Sequence, residues 1–254
     1  MTSFTRAIVR PPGKSFASGI TTGAGGPSLE LALEQHAEYC RALAECGLEV
    51  VALGADDEHP DATFVEDTAI IVEGQAILTR PGAPSRQEEV DAIRDALAPI
   101  FPTLAAIEAP GTVDGGDVCE GLGCVFIGLS QRTNAEGAAQ LSAWLTQAGF
   151  FNKTIDISDT ELLHLKSGMA HLGQGRYVLV DSLRNRLELE AAITVDLEEA
   201  YAANCVRVND SVLVASGYPS FERTLRDLGY TVVALDMSEF QKMDGGLSCL
   251  SLRF

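Results

Sequence analysis

A chain of 254 residues is long enough to bury one large core, and with 46% hydrophobic and 21% charged residues it has an ordinary globular composition. Thirty-six acidic against 18 basic side chains give a net charge of −18, which repels phosphate backbones and argues against nucleic acid as a partner. No apolar run approaches the ~18 residues of a bilayer span, and the first ten residues lack the apolar stretch and cleavage site of a signal peptide, so a cytoplasmic protein free of membranes is expected.

In chain order, Arg6–Val9 reads as a strand, Leu29–Cys46 as a helix and Glu49–Leu53 as a strand. Thr68–Val72 and Gln75–Thr79 then read as two strands. The helical stretch Pro84–Pro99 follows, with a capping box predicted between Ser85 and Glu88, and Thr103–Ile107 is the next strand. Asp117–Cys119, Cys124–Gly128, the helix Asn134–Ala148 and Thr154–Ile157 repeat that order. A weaker copy runs through Met169–Leu172, Tyr177–Val180, the Leu-spaced polar stretch Leu183–Ala191 and Ile193–Val195. Cys205–Val208, Val212–Ala215, the helix Pro219–Leu228 and Thr231–Leu235 form another, turning at Asn209-Asp210. The last predicted strand, Cys249–Arg253, pairs with Arg6–Val9 and completes a fifth unit across the two ends of the chain.

Five strand-strand-helix-strand units closed by the termini imply an α/β ring with short protected edges, whose functional groups gather on the axis. An ordinary open α/β sheet is the alternative. No Pro/Gly/Ser-rich linker or charge block divides the sequence, so a single domain over residues 1–254 is expected.

The unusual residues concentrate between these elements, at Pro60–Asp67, Thr112–Asp117, Leu163–Lys166 and Asp244–Cys249. Asp114-Gly115-Gly116-Asp117 has neither P-loop nor dinucleotide spacing, and its flanking carboxylates oppose a phosphate. Acidic loops of this kind suit a planar cation such as a guanidinium, whose forked donors match carboxylate geometry. Glu66, Asp67 and Asp114 are candidates, although each taken alone is more commonly a cap or a solvated group. Glu66 and Asp67 would face one ligand together only if the strand bends there. Each glycine pair would allow positive φ or a close approach, or would simply make a tight turn.

The six cysteines contain no C-x-x-C pair, and His36, His59 and His171 show no metal-ligand spacing, so no metal site is expected. Cys249 follows a Gly-Gly loop and His164 lies in a short polar break. Both residue types are common in cores, yet a Cys and a His distant in sequence can meet in a fold as nucleophile and base.

In this order, the stretches Pro60–Asp67, Leu78–Arg86, Thr112–Val118, Phe126–Ala138, Leu163–Ser167, Ala202–Cys205 and Met243–Cys249 resemble the dimethylarginine dimethylaminohydrolases of the guanidine-modifying superfamily. The resemblance implies a single catalytic domain, a five-fold pseudosymmetric α/β propeller built of ββαβ units, with no cofactor and no metal. It puts the nucleophile at Cys249, the general acid/base at His164 and the carboxylate partner at Asp114. Substrate contacts fall on Asp61, Glu66, Asp67, Arg86 and Arg132, with main-chain contacts near Ile20 and Met243. The implied reaction is hydrolysis of methylated arginine to citrulline and an amine, through a thiouronium intermediate on Cys249. Asp67 and Asp114 would hold the guanidinium while Arg86 and Arg132 pair with the substrate carboxylate. The implied ligand is a small cation, and a homodimer stays open. An arginine deiminase is the nearest rival, but its inserted helical segment is not found in this sequence; a non-catalytic binder of arginine-like ligands would have no use for Cys249 and His164.

Overall fold

The computed structural model describes residues 3–187, 189 and 191–254. Its elements in chain order are β1 (Arg6–Val9), α1 (Leu29–Glu45), β2 (Glu49–Ala52), β3 (Ala69–Val72), β4 (Gln75–Leu78), α2 (Glu89–Leu97), β5 (Leu104–Ala106), β6 (Val118–Glu120), β7 (Val125–Leu129), α3 (Ala135–Gln147) and β8 (Asn152–Asp156). They continue with β9 (Met169–His171), β10 (Arg176–Val180), α4 (Asp181–Arg184), β11 (Ala191–Val195), β12 (Val206–Val208), β13 (Ser211–Ala215), α5 (Pro219–Asp227), β14 (Thr231–Leu235), α6 (Ser238–Gln241) and β15 (Leu252–Arg253).

The strands form five three-stranded sheets of one design: β15-β1-β2, β3-β4-β5, β6-β7-β8, β9-β10-β11 and β12-β13-β14. In each, the middle strand is antiparallel to the strand before it and parallel to the strand after it, which a helix delivers. A parallel partner needs such a crossover, whereas an antiparallel one needs only a hairpin. The unit that begins with β15 closes across the termini, with Ala7 opposite Arg253 and Ile8 opposite Leu252.

Two compact units emerge from the chain. The first, Glu66–Ala203, holds the three sheets from β3 to β11. Its core joins Ile70, Val72 and Ile77 to Val118, Val125 and Ile127, with Leu141 and Leu145 of α3 packed on them. α3 presents that apolar face from a fixed start, because the Asn134 side chain accepts from the Gly137 N–H at 2.8 Å. The second unit, residues 3–65 with Asn204–Phe254, holds the other two sheets. There Ser28 caps α1, which buries Ala32, Gln35, His36, Tyr39, Ala42 and Leu43 along one side. Phe16, Phe64 and Phe240 meet in this unit, two pairs tilted and Phe64–Phe240 edge-on, with centroids 5.6 to 6.3 Å apart.

Three expectations change at the element ends. Ser85 does not cap α2; it lies inside a 3₁₀ turn, Pro84–Arg86, and the N-cap position falls to Glu88 without a side-chain bond. Cys249 is outside the last strand, in a 3₁₀ turn, Ser248–Leu250, that precedes β15. Among the described residues of the stretch Leu183–Ala191, only the beginning is helical, as the end of α4; positions 188 and 190 lie outside the described residues.

Candidate active site

In the first unit, Val65–Thr68 is a 3₁₀ turn leading into β3, so Glu66 and Asp67 escape the alternation of a strand. Glu66 accepts from Lys166 Nζ at 2.7 Å. Asp67 accepts from Arg86 Nη1 at 2.6 Å and from the Gly116 N–H at 2.9 Å. Arg86, buried by its own turn, gives the rest of its fork to Glu89, at 3.1 Å from Nε and 2.8 Å from Nη2. This is a buried ion pair with charge-assisted bonds on both sides of one guanidinium.

Asp114 sits where Val113 bridges to Arg80, and its Oδ1 accepts from the Gly82 N–H at 2.7 Å. Its Oδ2 lies 3.0 Å from His164 Nε2 and 3.7 Å from Arg132 Nη1. His164 precedes the 3₁₀ turn Leu165–Ser167 and donates its N–H to Ser167 Oγ at 3.3 Å. The neighbouring glycine pair answers to close approach. A Cβ on Gly116 would come within 2.7 Å of His164 Nδ1, and one on Gly115 within 2.0 Å of the Glu66 carbonyl oxygen.

Charge decides the protonation states here. Burial alone would lower the His164 imidazole, but the Asp67 charge, the hydrogen bond with Asp114 and the further charge of Asp117 outweigh it and raise it to about 9. Burial pushes the Asp67 carboxyl up, yet the charges of His164 and Arg86 and the hydrogen bonds from Arg86 and Gly116 prevail and hold it down at about 2. At neutral pH the cluster is therefore an imidazolium between carboxylates. Nε2 is turned to Asp114, and the ring also lies against the Ser167 N–H in the turn that His164 begins.

In the second unit, the Ile20 N–H donates to both oxygens of buried Asp61 at 3.1 Å. The chain around Met243 is clasped to the same segment, since Thr21 Oγ1 donates to the Lys242 carbonyl at 2.8 Å and the Thr22 N–H to Asp244 at 2.6 Å. Asp244 itself takes a positive φ of 56°. Cys249 follows in the turn whose neighbour Ser248 is held twice by Asn204: the Ser248 N–H donates to Oδ1 at 2.9 Å, and Nδ2 donates to Ser248 Oγ at 3.0 Å. A Cβ on Gly246 would strike Asn204 Oδ1 at 2.5 Å, so the glycine lets this clamp close. Cys249 is buried, and no cysteine among the described residues is in a disulfide.

The structure thus brings Glu66, Asp67, Arg86, Asp114, Arg132 and His164 together in one unit, and Ile20, Asp61 and Met243 with the Cys249 turn in the other. Two assignments acquire a different emphasis. Asp114 bonds His164 through Oδ2 and the Gly82 N–H through Oδ1, which suits the partner of a base. Arg86 is enclosed by Asp67 and Glu89 and keeps Asp67 ionised. Glu89, Lys166, Asn204 and Asp117 were not singled out from the sequence. Lys166 and Asn204 fall inside stretches recognised there, whereas Glu89 reads as one more charge on a helix. Asp67, Asp114 and His164 also place one ligand atom each within 4.8 Å of the others, close enough to hold a metal ion. His164 and Asp114 already bond each other, and Asp67 is bonded to Arg86 and the Gly116 N–H.

Residues 27–247 match the family described as N,N dimethylarginine dimethylhydrolase, eukaryotic. An N(G),N(G)-dimethylarginine dimethylaminohydrolase of Pseudomonas aeruginosa is 39% identical to this chain over 255 residues, covering 99% of this chain and 100% of that protein. A cysteine-to-serine variant of the P. aeruginosa enzyme, solved in complex with citrulline, has a TM-score of 0.96 at 38% identity and covers 100% of both chains. A dimethylarginine dimethylaminohydrolase with a histidine replaced by glycine, solved as an adduct with S-methyl-L-thiocitrulline, has a TM-score of 0.96 at 39% identity, covering 99% of this chain and 100% of its own. With the match spanning most of its length, the chain belongs to the N,N dimethylarginine dimethylhydrolase family.

Proposed function

We propose that this chain hydrolyses asymmetric dimethylarginine and monomethylarginine to citrulline, releasing dimethylamine or methylamine, with Cys249 as the nucleophile. The observation that carries the reading is the His164 imidazole, buried, bonded to Asp114 at 3.0 Å and charged at neutral pH beside Asp67. Such an imidazolium is a general acid in waiting. Support also comes from the relatives, one solved with citrulline and one as a thiocitrulline adduct.

A thiolate at Cys249 attacks the guanidinium carbon, and the C–N bond to the methylated nitrogen breaks as His164 gives that nitrogen a proton. His164, now neutral, takes a proton from water, whose oxygen attacks the same carbon. The C–S bond breaks, the thiolate is restored and citrulline leaves. Water is the sole co-reactant, and the chemistry calls for no cofactor. Asp67 and Glu66 hold the guanidinium, and Arg86 keeps Asp67 in place for that task. Arg132 pairs with the substrate carboxylate, while Asp61 and the main chain at Ile20 and Met243 receive the α-amino end. This division of labour asks the five ββαβ units to act as one domain, a five-fold pseudosymmetric propeller. The identical strand order of the five sheets and the closing pair β15-β1 support that arrangement.

Citrulline formation measured side by side with free arginine, monomethylarginine and asymmetric dimethylarginine tests the substrate. The methylated substrates should be preferred. Preference for free arginine, with ammonia released, would make the chain a deiminase instead.

A further inference from the structure

We propose that Asp117 is a positioning residue for the reaction, a buried carboxylate that fixes Asp114, Arg132 and His164 at once through the hydroxyls of Thr133 and Ser130 and the N–H of Leu165. The inference rests on the roles just given to those three residues.

Asp117 is wholly buried at the end of the Gly115–Asp117 turn and acts through intermediaries. Its Oδ2 accepts from Thr133 Oγ1 at 2.7 Å and from Ser130 Oγ at 2.6 Å, and its Oδ1 accepts from the Leu165 N–H at 3.0 Å. Each branch ends beside a different functional group. Thr133 Oγ1 accepts from the Asp114 N–H at 3.1 Å, which sets the height of the carboxylate that holds His164. Ser130 Oγ accepts from the Arg132 N–H at 3.0 Å and the Thr133 N–H at 3.1 Å, closing the turn that presents Arg132. Leu165 follows His164 directly, so the third bond anchors the start of the imidazole's turn.

The chemistry of the hub explains why a carboxylate stands there. Both hydroxyls spend their lone pairs on backbone N–H groups, so their own protons need an acceptor, and the Leu165 N–H needs another. A carboxylate accepts on every side. An amide in its place would set an NH₂ group against donors in either orientation, leaving buried donors unmatched. Burial raises Asp117 to about 6, against the lowering pull of His164 and of the two hydroxyls, and the Asp117 charge is among those that raise His164. Asp67 and Asp114 are the other charges facing that imidazole.

The branches make separate predictions. Thr133→Val removes the tether of Asp114 and one donor to Asp117, and should lower kcat about tenfold or more with little change in KM. Ser130→Ala loosens the Arg132 turn and should raise KM several-fold at nearly constant kcat. Asp117→Asn should do both, and Asp117→Glu should not rescue it, because the longer side chain cannot meet the same three donors. Independently of turnover, the NMR titration midpoint of the His164 imidazole should move down in Asp117→Asn, which a loss of stability alone would not do. Asp117→Asn with unchanged kcat, unchanged KM and an unmoved His164 midpoint overturns the proposal. So do variants whose kinetic losses all scale with their fall in Tm. Should Asp117→Asn not fold, the kcat against KM split between Thr133→Val and Ser130→Ala decides. Should the wild-type protein hydrolyse no methylarginine, the functional reading fails, and the His164 titration judges the hub by itself.

Discussion

Replacing Arg86 with methionine keeps the length and apolar stem of the side chain but withdraws its guanidinium from Asp67 at 2.6 Å and Glu89 at 2.8 Å. All three side chains are at most 5% exposed, so water cannot take over the lost partner. Breaking a buried pair from one side typically costs about 3–5 kcal/mol. Asp67 keeps His164 and the Gly116 N–H, which argues for the lower end, about 3 kcal/mol at pH 7. The pH dependence carries a sign. In the native protein Asp67 is held at about 2, below its ordinary 3.8, so its contribution is present above pH 3.8 and is lost as pH falls through about 2. Without Arg86, burial is less opposed and the carboxyl moves upward, so a proton relieves the variant sooner. The deficit should therefore be largest at pH 7 and shrink toward pH 4.5, by at most about 1.4 kcal/mol per pH unit for one group. Urea unfolding of both proteins across that range measures it, and Arg86→Met/Glu89→Met should recover part of the loss. A deficit under about 1 kcal/mol at pH 7, or one independent of pH, would refute the electrostatic account of this cluster.

Three further perturbations probe the geometry. Gly116→Ala puts a methyl where His164 Nδ1 lies 2.7 Å away, so the imidazole must shift, and kcat/KM should fall about a hundredfold with a smaller effect on Tm; steady-state kinetics and a crystal structure check both. The His164 imidazole, ordinarily near 6.5, is raised to about 9, so its stabilising contribution is complete below pH 6.5 and is lost as pH rises through about 9. NMR titration should find that midpoint, and His164→Ala should flatten the alkaline fall in stability. Asn204→Ala removes both bonds to Ser248 and should cost about 1–3 kcal/mol while slowing the reaction of the neighbouring thiol, read by its rate of alkylation.

The repeat was legible because four units spell their elements in one order, a hairpin, then a helix, then a strand, and the two ends of the chain supply the fifth. Its ends were less so, for local reasons. Cys249 reads as part of a strand because Leu250 and Leu252 follow it closely. The clamp of Asn204 on Ser248, which turns the chain there, joins residues 44 positions apart. Ser85 and Glu88 have capping-box spacing, but Pro84 begins a separate turn that delivers Arg86 inward to Asp67. At the site, the residue types of Asp67, Asp114, His164 and Cys249 were what suggested the chemistry. Their supports were hidden. Asp117 reads as the far end of an Asp-Gly-Gly-Asp turn, and its bonds to Ser130, Thr133 and Leu165 reach 13, 16 and 48 positions along the chain. The Gly115-Gly116 pair was open to positive φ, to close approach or to a plain turn. Its purpose is space for the Glu66 carbonyl and the His164 ring.

Attack by the Cys249 sulfur on the guanidinium carbon is most directly tested by acid-quenching the protein during turnover of asymmetric dimethylarginine and mapping its peptides by mass spectrometry. The mechanism predicts an adduct on the Cys249 peptide with the mass of citrulline less one water, persisting in His164→Ala and absent from Cys249→Ser, which makes no citrulline. Citrulline production by Cys249→Ser at the wild-type rate, or an adduct on any other residue, would contradict it.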